Sequence, residues 1–294
     1  MPSFVQHNRL LYIHGRGPLW VCSDLHGNLR DFRHVVQLFR EEKDAALLFL
    51  GDLVHGPSEE AQAKWHPGWG CWYEDESAQL LREFWELQRE FPRRVTTLLG
   101  NHEHAHHGGP VLSKFHPDEG AFLEGQLSKE EQKTLRQWVA GLPWIGLTEG
   151  GVVFVHGSPS HSPFDKESIG AMALGDYSHL QPSEMKHSGF LGELLWKRSA
   201  TYGDTFQFLR RLQESYGFPH ASIVVHGHEI VMDGVRAVHS RLVTLSSSFG
   251  MRDTHKMLLR LDVPRVIRSV EELQRGIEWL MMYPELTLRE FDRR

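Results

Sequence analysis

The feature that most constrains this chain is a recurrence: short apolar runs that stop on a glycine flanked by polar side chains able to hold a metal. Val95-Thr96-Thr97-Leu98-Leu99 ends at Gly100-Asn101-His102-Glu103. Leu19-Trp20-Val21-Cys22-Ser23 ends at Asp24-Leu25-His26-Gly27, and Ala46-Leu47-Leu48-Phe49-Leu50 ends at Gly51-Asp52-Leu53-Val54-His55-Gly56. Short continuous runs of Val, Leu and Thr read as buried strands, and a terminal glycine lets the backbone turn so that polar side chains emerge there. Val152-Val153-Phe154-Val155 before His156-Gly157 repeats the grammar, as does Ser222-Ile223-Val224-Val225 before His226-Gly227-His228. In an open α/β sheet, ligands gather beyond the carboxyl ends of the strands. Five strand ends are therefore expected to point at one place.

The donors pooled there are two carboxylates (Asp24, Asp52), three imidazoles (His26, His156, His228) and one amide oxygen (Asn101). A mixed nitrogen and oxygen set suits borderline divalent ions such as Mn, Fe or Zn. Six ligands exceed what one tetrahedral ion takes and match two ions sharing a bridging carboxylate. Any one of these residues alone reads more simply as a turn or a hydrogen-bonded core histidine. The case rests on the ensemble.

The ordered set Asp24-x-His26-Gly27, Gly51-Asp52-x-Val54, Gly100-Asn101-His102-Glu103, His156-Gly157 and Gly227-His228 resembles the calcineurin-like metallophosphoesterases, and within them the phosphoprotein phosphatases, of bacterial type. The resemblance runs from about Leu19 to Asp262. It implies an α/β fold, a central β-sandwich flanked by helices. It also implies that Asp24, His26 and a bridging Asp52 surround one ion, and that Asp52, Asn101, His156 and His228 surround the other. Such a pair of ions lowers the pKa of a shared water to about 7 and steadies an in-line displacement at phosphorus. His102 is then the general acid for the leaving alkoxide.

One departure matters. The family reads Gly-Asp-x-Val-Asp-Arg-Gly, its Asp orienting the catalytic histidine and its Arg clamping phosphate, where this chain has Gly51-Asp52-Leu53-Val54-His55-Gly56. Asp75 or Glu76 is expected to supply the orienting carboxylate. Arg198, which follows Leu194-Leu195-Trp196 as the family's second phosphate-binding arginine follows Leu-Leu-Trp, is expected to clamp, with Lys114 and Arg252 as lesser candidates. The implied activity is hydrolysis of phosphate monoesters, with phosphoserine or phosphothreonine of a phosphorylated protein as substrate. The enzymatic alternative is hydrolysis of dinucleoside polyphosphates, phosphodiesters or other small phosphoesters. The altered segment at His55 also motivates a third reading, a module that recognises phosphate with little turnover.

A net charge of −6 over 294 residues argues against the broad basic face of a nucleic-acid binder. Cys22 and Cys71 are the only cysteines, no disulfide framework, which fits a reducing compartment. No apolar run approaches the ~18 residues of a membrane span, and the N-terminus lacks the pattern of a secretory signal. A cytoplasmic protein with no membrane partner is expected, its oligomeric state open.

The remaining elements follow from periodicity. Asn28 caps a helix carrying Leu29, Phe32, Val35 and Phe39; Leu80, Leu81, Phe84 and Leu87 mark a second, ending at Pro92. Ser128 and Glu131 form a capping box for a third. Phe206, Leu209, Leu212 and Tyr216 mark a fourth, and Val270, Leu273, Ile277 and Leu280 suggest a terminal one. Leu10 to Ile13 reads as an edge strand, Leu242 to Ser246 and Met257 to Leu261 as further strands. We read 1–262 as one catalytic domain with a Trp-rich insertion at 57–76, and 263–294 as a helical extension. The insertion either shapes the substrate site or packs as scaffold, and the irregular 158–189 stretch reads as a lid or binding loop. His104, His106 and His107 read as exposed imidazoles of a polar loop.

Overall fold

A computed structural model describes residues 1–66, 68–164, 174–216 and 218–286. Its strands are β1 (Ser3–His7), β2 (Leu10–His14), β3 (Pro18–Cys22), β4 (Ala46–Phe49), β5 (Val95–Thr97), β6 (Ile145–Thr148), β7 (Val152–Val155), β8 (Ile223–His226), β9 (Val235–His239), β10 (Leu242–Leu245), β11 (Met257–Asp262) and β12 (Trp279–Met281). They form two sheets, one of seven strands in the order β1-β2-β6-β7-β8-β10-β9 and one of five in the order β12-β11-β3-β4-β5. The apolar runs that end on polar residues are the parallel parts of both: β3, β4 and β5 lie side by side in one, β7 and β8 in the other. This is the expected α/β sandwich.

Alternation along each strand shows why the runs are continuous rather than amphipathic. On β3 and β4, Leu19, Val21, Ala46 and Leu48 face inward with Phe154, Val225 and Val243 of the other sheet. Their neighbours Trp20, Cys22, Leu47 and Phe49 face the opposite way, onto Phe32, Phe39 and Phe84. Those aromatics come from helices α1 (Leu29–Glu41) and α3 (Ser77–Glu90), separated in sequence by the short α2 (Glu59–Gln62). A strand covered on both faces must be apolar at every position. Each such side chain contributes roughly 1.5–3 kcal/mol on burial, and all the strand ends are thereby held at one rim.

The caps are as expected. The Asn28 side chain accepts from Asp31 N at the start of α1, and Ser128 with Glu131 closes a capping box at the start of Lys129–Gly141. Among the described residues no helix is long and apolar enough to cross a membrane.

Two expectations are corrected. Leu10–His14 is not an edge strand, because β1 pairs outside it in antiparallel register, Phe4 against Ile13. Ser3–His7 buries only Phe4, so its sequence carries almost no strand signal. The terminal helix is not there either: Val270–Glu272 is a single 3-10 turn, Gly276 adopts φ 81°, and Trp279–Met281 pairs with β11 as the sheet's edge. A left-handed glycine ends a helix, and Ile277, which the helical pattern placed on the apolar face, is 57% exposed. Residues 287–294 of that extension lie outside the described residues, as do 165–173 of the expected lid. Next to the latter, Ser160, His161 and Ser162 all bind the Glu193 carboxylate.

Because Trp279 is 3% exposed and packs between the sheets, Trp279→Ala is expected to destabilise the protein by about 3–5 kcal/mol. A denaturant midpoint unchanged from wild type would show that this strand is an appendage.

Candidate metal centre

Beyond the strand ends the backbone takes an unusual path. Asp24 (φ 51°), His26 (46°), Asp52 (54°), His55 (66°) and His228 (65°) all lie in the left-handed region, and Asn8 is the one other non-glycine there among the described residues. Such conformations cost of order 1–3 kcal/mol each and persist only where the surroundings over-determine them. Here the surroundings are explicit. The buried Glu103 carboxylate accepts from Asp52 N at 2.8 Å, Leu53 N at 2.7 Å and Gly100 N at 3.1 Å, tying the turn after β4 to the turn after β5. His26 N and Gly27 N donate to Asp52 O and Leu53 O at 2.9 and 2.8 Å, adding the turn after β3. A Cβ on Gly100 would stand 2.3 Å from Asp52 Oδ1, so that turn closes only with glycine.

The six predicted ligands come together. Asp52 Oδ2 lies 3.6 Å from His26 Nε2 and 3.4 Å from His156 Nε2, which puts Asp52 between the two halves of the site. His156 Nε2 is 2.9 Å from Asn101 Oδ1 and 3.2 Å from His228 Nδ1. Asp24 closes the ring, its two carboxylate oxygens accepting from His228 N at 3.0 and 3.1 Å.

The donor chemistry fits cations. His156 Nδ1 lies 2.8 Å from Leu50 O, and a carbonyl only accepts, so Nδ1 carries the hydrogen. In the neutral ring Nε2 then offers a lone pair, and it faces the lone pairs of Asn101 and Asp52. His26 repeats this, with Nδ1 on His55 O at 3.2 Å and Nε2 toward Asp52. Imidazoles steered through one nitrogen so that the other points at like-minded donors are the arrangement that holds metal. Two groups sharing Asp52 emerge: His26 with Asp52 and His102, and Asp52 with His156 and His228. A dinuclear divalent-metal site fits them.

The electrostatics agree. Burial pushes the Asp52 carboxyl up, but His156, His102 and His26 together outweigh it and hold it well below the usual range. Burial raises Asp24, with the Asp52 charge adding to it. His156 is disfavoured by burial yet pushed up to about 9 by Asp52 and Asp24. His156 is thus favoured in its protonated form, while burial holds His26 and His228 well below the ordinary histidine range.

His102 stands beside this cluster with a different set of neighbours. Its Nδ1 faces Glu119 Oε2 at 3.3 Å and His55 Nδ1 at 3.1 Å. His55 Nε2 meets His106 Nε2 at 2.9 Å, and His106 Nδ1 meets Glu124 at 3.1 Å, a line of imidazoles running from the site to a surface carboxylate. Burial lowers the His102 pKa, but Asp52 and Glu119 more than offset this, so the ring holds its proton more firmly than a free histidine. Among the described residues no hydrogen bond engages its Nε2, which leaves that atom for a ligand.

The carboxylate beside the His102 ring is Glu119, on the first turn of the helix Glu119–Gly125. Asp75 is corrected: its Oδ1 accepts from Ser77 N at 2.9 Å and Ser77 Oγ at 2.5 Å, which ties it to the start of α3. Glu76 is exposed. Glu119 follows an aperiodic loop that offers no sequence signal; the visible hint was His55 where an aspartate was expected. His104 and His106 are also corrected, both being buried, His104 against Leu174 O and His106 in the imidazole line; His107 is exposed as expected.

A cleft of about 340 Å³ opens onto the cluster, lined by Asp24, His26, Asp52, Asn101 and His102 and walled by Trp196, Phe249, Lys114 and Arg198. Arg198 reaches the cleft but pairs with Glu229 at 2.9 Å. Arg252 does not line it. The Trp-rich segment packs against the metal loop: Trp65 meets Phe249 edge-on and Trp69 meets it at a tilt, Phe249 lies 4.6 Å from the His26 ring, and Tyr73 Oη donates to His26 O at 3.0 Å.

The family model described as calcineurin-like phosphoesterase matches residues 17–232. Among solved structures, a protein serine/threonine phosphatase from Saccharomyces cerevisiae is similar at 19% identity and a TM-score of 0.58, over 84% of this chain and 73% of that one. A cold-active protein-tyrosine phosphatase of a psychrophilic Shewanella species is similar at 16% identity and a TM-score of 0.51, over 87% of this chain and 78% of that one. At these identities the likeness is one of fold.

Glu103→Ala leaves three buried backbone donors unpaired, each worth about 1–3 kcal/mol, and releases the strained turns. Expected are a loss of several kcal/mol on denaturation and fewer than two equivalents of bound metal by elemental analysis. Full occupancy with wild-type stability would show that these turns are held by something else.

Proposed function

The chain belongs to the calcineurin-like phosphoesterases, and within that family of metal-dependent hydrolases we propose that it removes phosphate from phosphoserine and phosphothreonine in proteins. The observation that carries this is the placement of a carboxylate-backed imidazole, His102, beside the Asp52-centred donor set at the floor of one cleft. Asp24, His26, Asp52, Asn101, His156 and His228 would hold two divalent ions, which when bound would supply Lewis acidity and lower the pKa of a water. His102 gives its proton to the leaving oxygen. That contribution matters most for an alkoxide, the poor leaving group of a serine or threonine ester. Glu119 keeps the imidazole turned so that Nε2 faces the cleft and stabilises its protonated form. Arg198 adds positive field at the cleft wall.

A thiol nucleophile has no place here. Cys22 is fully buried with its pKa raised by that burial, and Cys71 does not line the cleft. The cleft's 340 Å³ suits a phosphorylated side chain presented on a peptide. Both similar phosphatases named above are described as acting on proteins, which supports that substrate class.

The test is parallel phosphate-release assays on a phosphoserine/phosphothreonine peptide, a phosphotyrosine peptide, diadenosine tetraphosphate and bis(p-nitrophenyl) phosphate. Turnover of the first is expected with Mn, Fe or Zn, lost on chelation and restored by adding the ion back. Activity confined to the nucleotide or the diester would overturn the proposal. Glu119→Gln is expected to lower kcat by about 10- to 100-fold and His102→Asn by about 10²–10⁴-fold, whereas Asp75→Asn retains turnover. The reverse ranking of Glu119 and Asp75 would refute the assignment of the orienting carboxylate.

A further inference from the structure

The segment 114–119 carries Glu119 at one end and Lys114 at the other. Lys114 lines the same cleft as Asp24, Asp52 and His102 and also borders an adjoining hollow walled by Trp65, Trp69 and Phe115. Its ammonium sits 4.0 Å above the Phe249 ring, 4.8 Å from the Phe115 ring and 5.9 Å from the Trp69 ring. Among the described residues it makes no ion pair and no side-chain hydrogen bond. Arg198, the other cation on the cleft, is paired with Glu229. Aromatic faces hold a cation in place without neutralising it or consuming its N–H donors. The lysine is therefore positioned, charged and uncommitted. Lys114 is exposed at the cleft, and partial desolvation there lowers its pKa to about 8, which still leaves it largely an ammonium at neutral pH.

A second observation explains why the cation comes from this direction. Gly56 occupies the position of the expected arginine, and a Cβ there would stand 2.5 Å from His26 O and 2.8 Å from Asp75 Oδ1. The Asp75 turn fills that space, so no side chain can be projected from residue 56. From the structure we propose that Lys114 is the phosphate-binding cation of this cleft, and that segment 114–119 supplies both functions absent at 55–56, phosphate binding through Lys114 and histidine orientation through Glu119. A lysine is a point charge and not a bidentate fork, so the bound phosphoryl group is held by charge more than by planar geometry.

The inference rests on the phosphoesterase reading, and one set of experiments separates the two. Metal-loaded wild type, Lys114→Met, Lys114→Arg and Lys64→Met are titrated with inorganic phosphate by calorimetry and assayed for KM and kcat. Lys64 lines the adjoining hollow but not the metal cleft. Lys114→Met is expected to weaken phosphate binding and raise KM by about 10- to 100-fold. It keeps two equivalents of metal and a wild-type melting temperature. Lys114→Arg is expected to fall between, and Lys64→Met to match wild type. Phosphate affinity in Lys114→Met within twofold of wild type would overturn the assignment while leaving the phosphoesterase reading intact, as would equal losses in Lys64→Met. A wild-type protein that loads two ions and neither binds nor releases phosphate would overturn both.

Discussion

A single buried carboxylate, Glu103, holds the site in shape. Its two oxygens accept from three backbone N–H groups on two turns that are 50 residues apart in sequence. Those turns deliver Asp52 on one side and Asn101 with His102 on the other, and His102 N in turn donates to Asp52 Oδ1 at 3.0 Å. This tie acts with His26 N on Asp52 O and His55 N on Ser77 Oγ, both at 2.9 Å, to keep Asp52 and His55 in a backbone region that side chains avoid. The sandwich core gives the strand ends a common rim, but packing alone does not choose left-handed turns. The hydrogen bonds do, drawing on the stability that the core supplies.

What the turns assemble is electrostatically incomplete without a counter-charge. Asn101 Oδ1, His228 Nδ1 and Asp52 Oδ2 lie within 3.4 Å of His156 Nε2. Buried donors are ordinarily matched to acceptors, and in its neutral form His156 Nε2 faces two oxygen acceptors. Protons can make up part of the deficit, which is why His156 is driven up by its carboxylates. Two divalent ions would satisfy the whole set at once and displace those protons, which would link metal loading to proton release. The mixed donor set and the central carboxylate follow from that requirement.

Much of this was legible from residues because it depends on local rules. A strand buried on both faces must be a continuous apolar run, so β3, β4, β5, β7 and β8 announce themselves, and each ligand lies within six residues of the last apolar position. The ordered motifs then specify a dinuclear site. Elements set by their tertiary neighbours were not legible. Ser3–His7 is a strand because β2 offers it a partner, not because its own residues alternate. Trp279–Met281 had a helical spacing that Gly276 and the free edge of β11 overrode. Asp75 was the acidic residue nearest the expected place, yet its carboxylate is consumed by Ser77. Glu119 reaches His102 only because the intervening loop folds back, and an aperiodic loop has no pattern from which to read that path.

The exchange of the family's Asp-Arg pair for His55-Gly56 then has one physical origin. The Trp-rich segment brings Tyr73 and Asp75 against the backbone of the first metal loop, Tyr73 bonding His26 O and Asp75 Oδ1 standing 2.8 Å from where a Cβ on Gly56 would be. That contact braces the strained His26 turn and at the same time removes the volume an arginine needs. With Gly56 required, the neighbouring position loses its use as a salt-bridged helper. His55 instead is buried among polar side chains, its Nδ1 3.5 Å from Glu119 and its Nε2 on His106. The same aromatic cluster, through Phe249, Phe115 and Trp69, fixes the lysine that stands opposite the donor set. Bracing of the metal loop and exclusion of the arginine are therefore two consequences of one packed segment, which also meets Lys114 through Trp69. It follows that the Trp-rich segment and residues 114–119 are coupled parts of a single solution to binding phosphate, and that altering either alone disturbs the other.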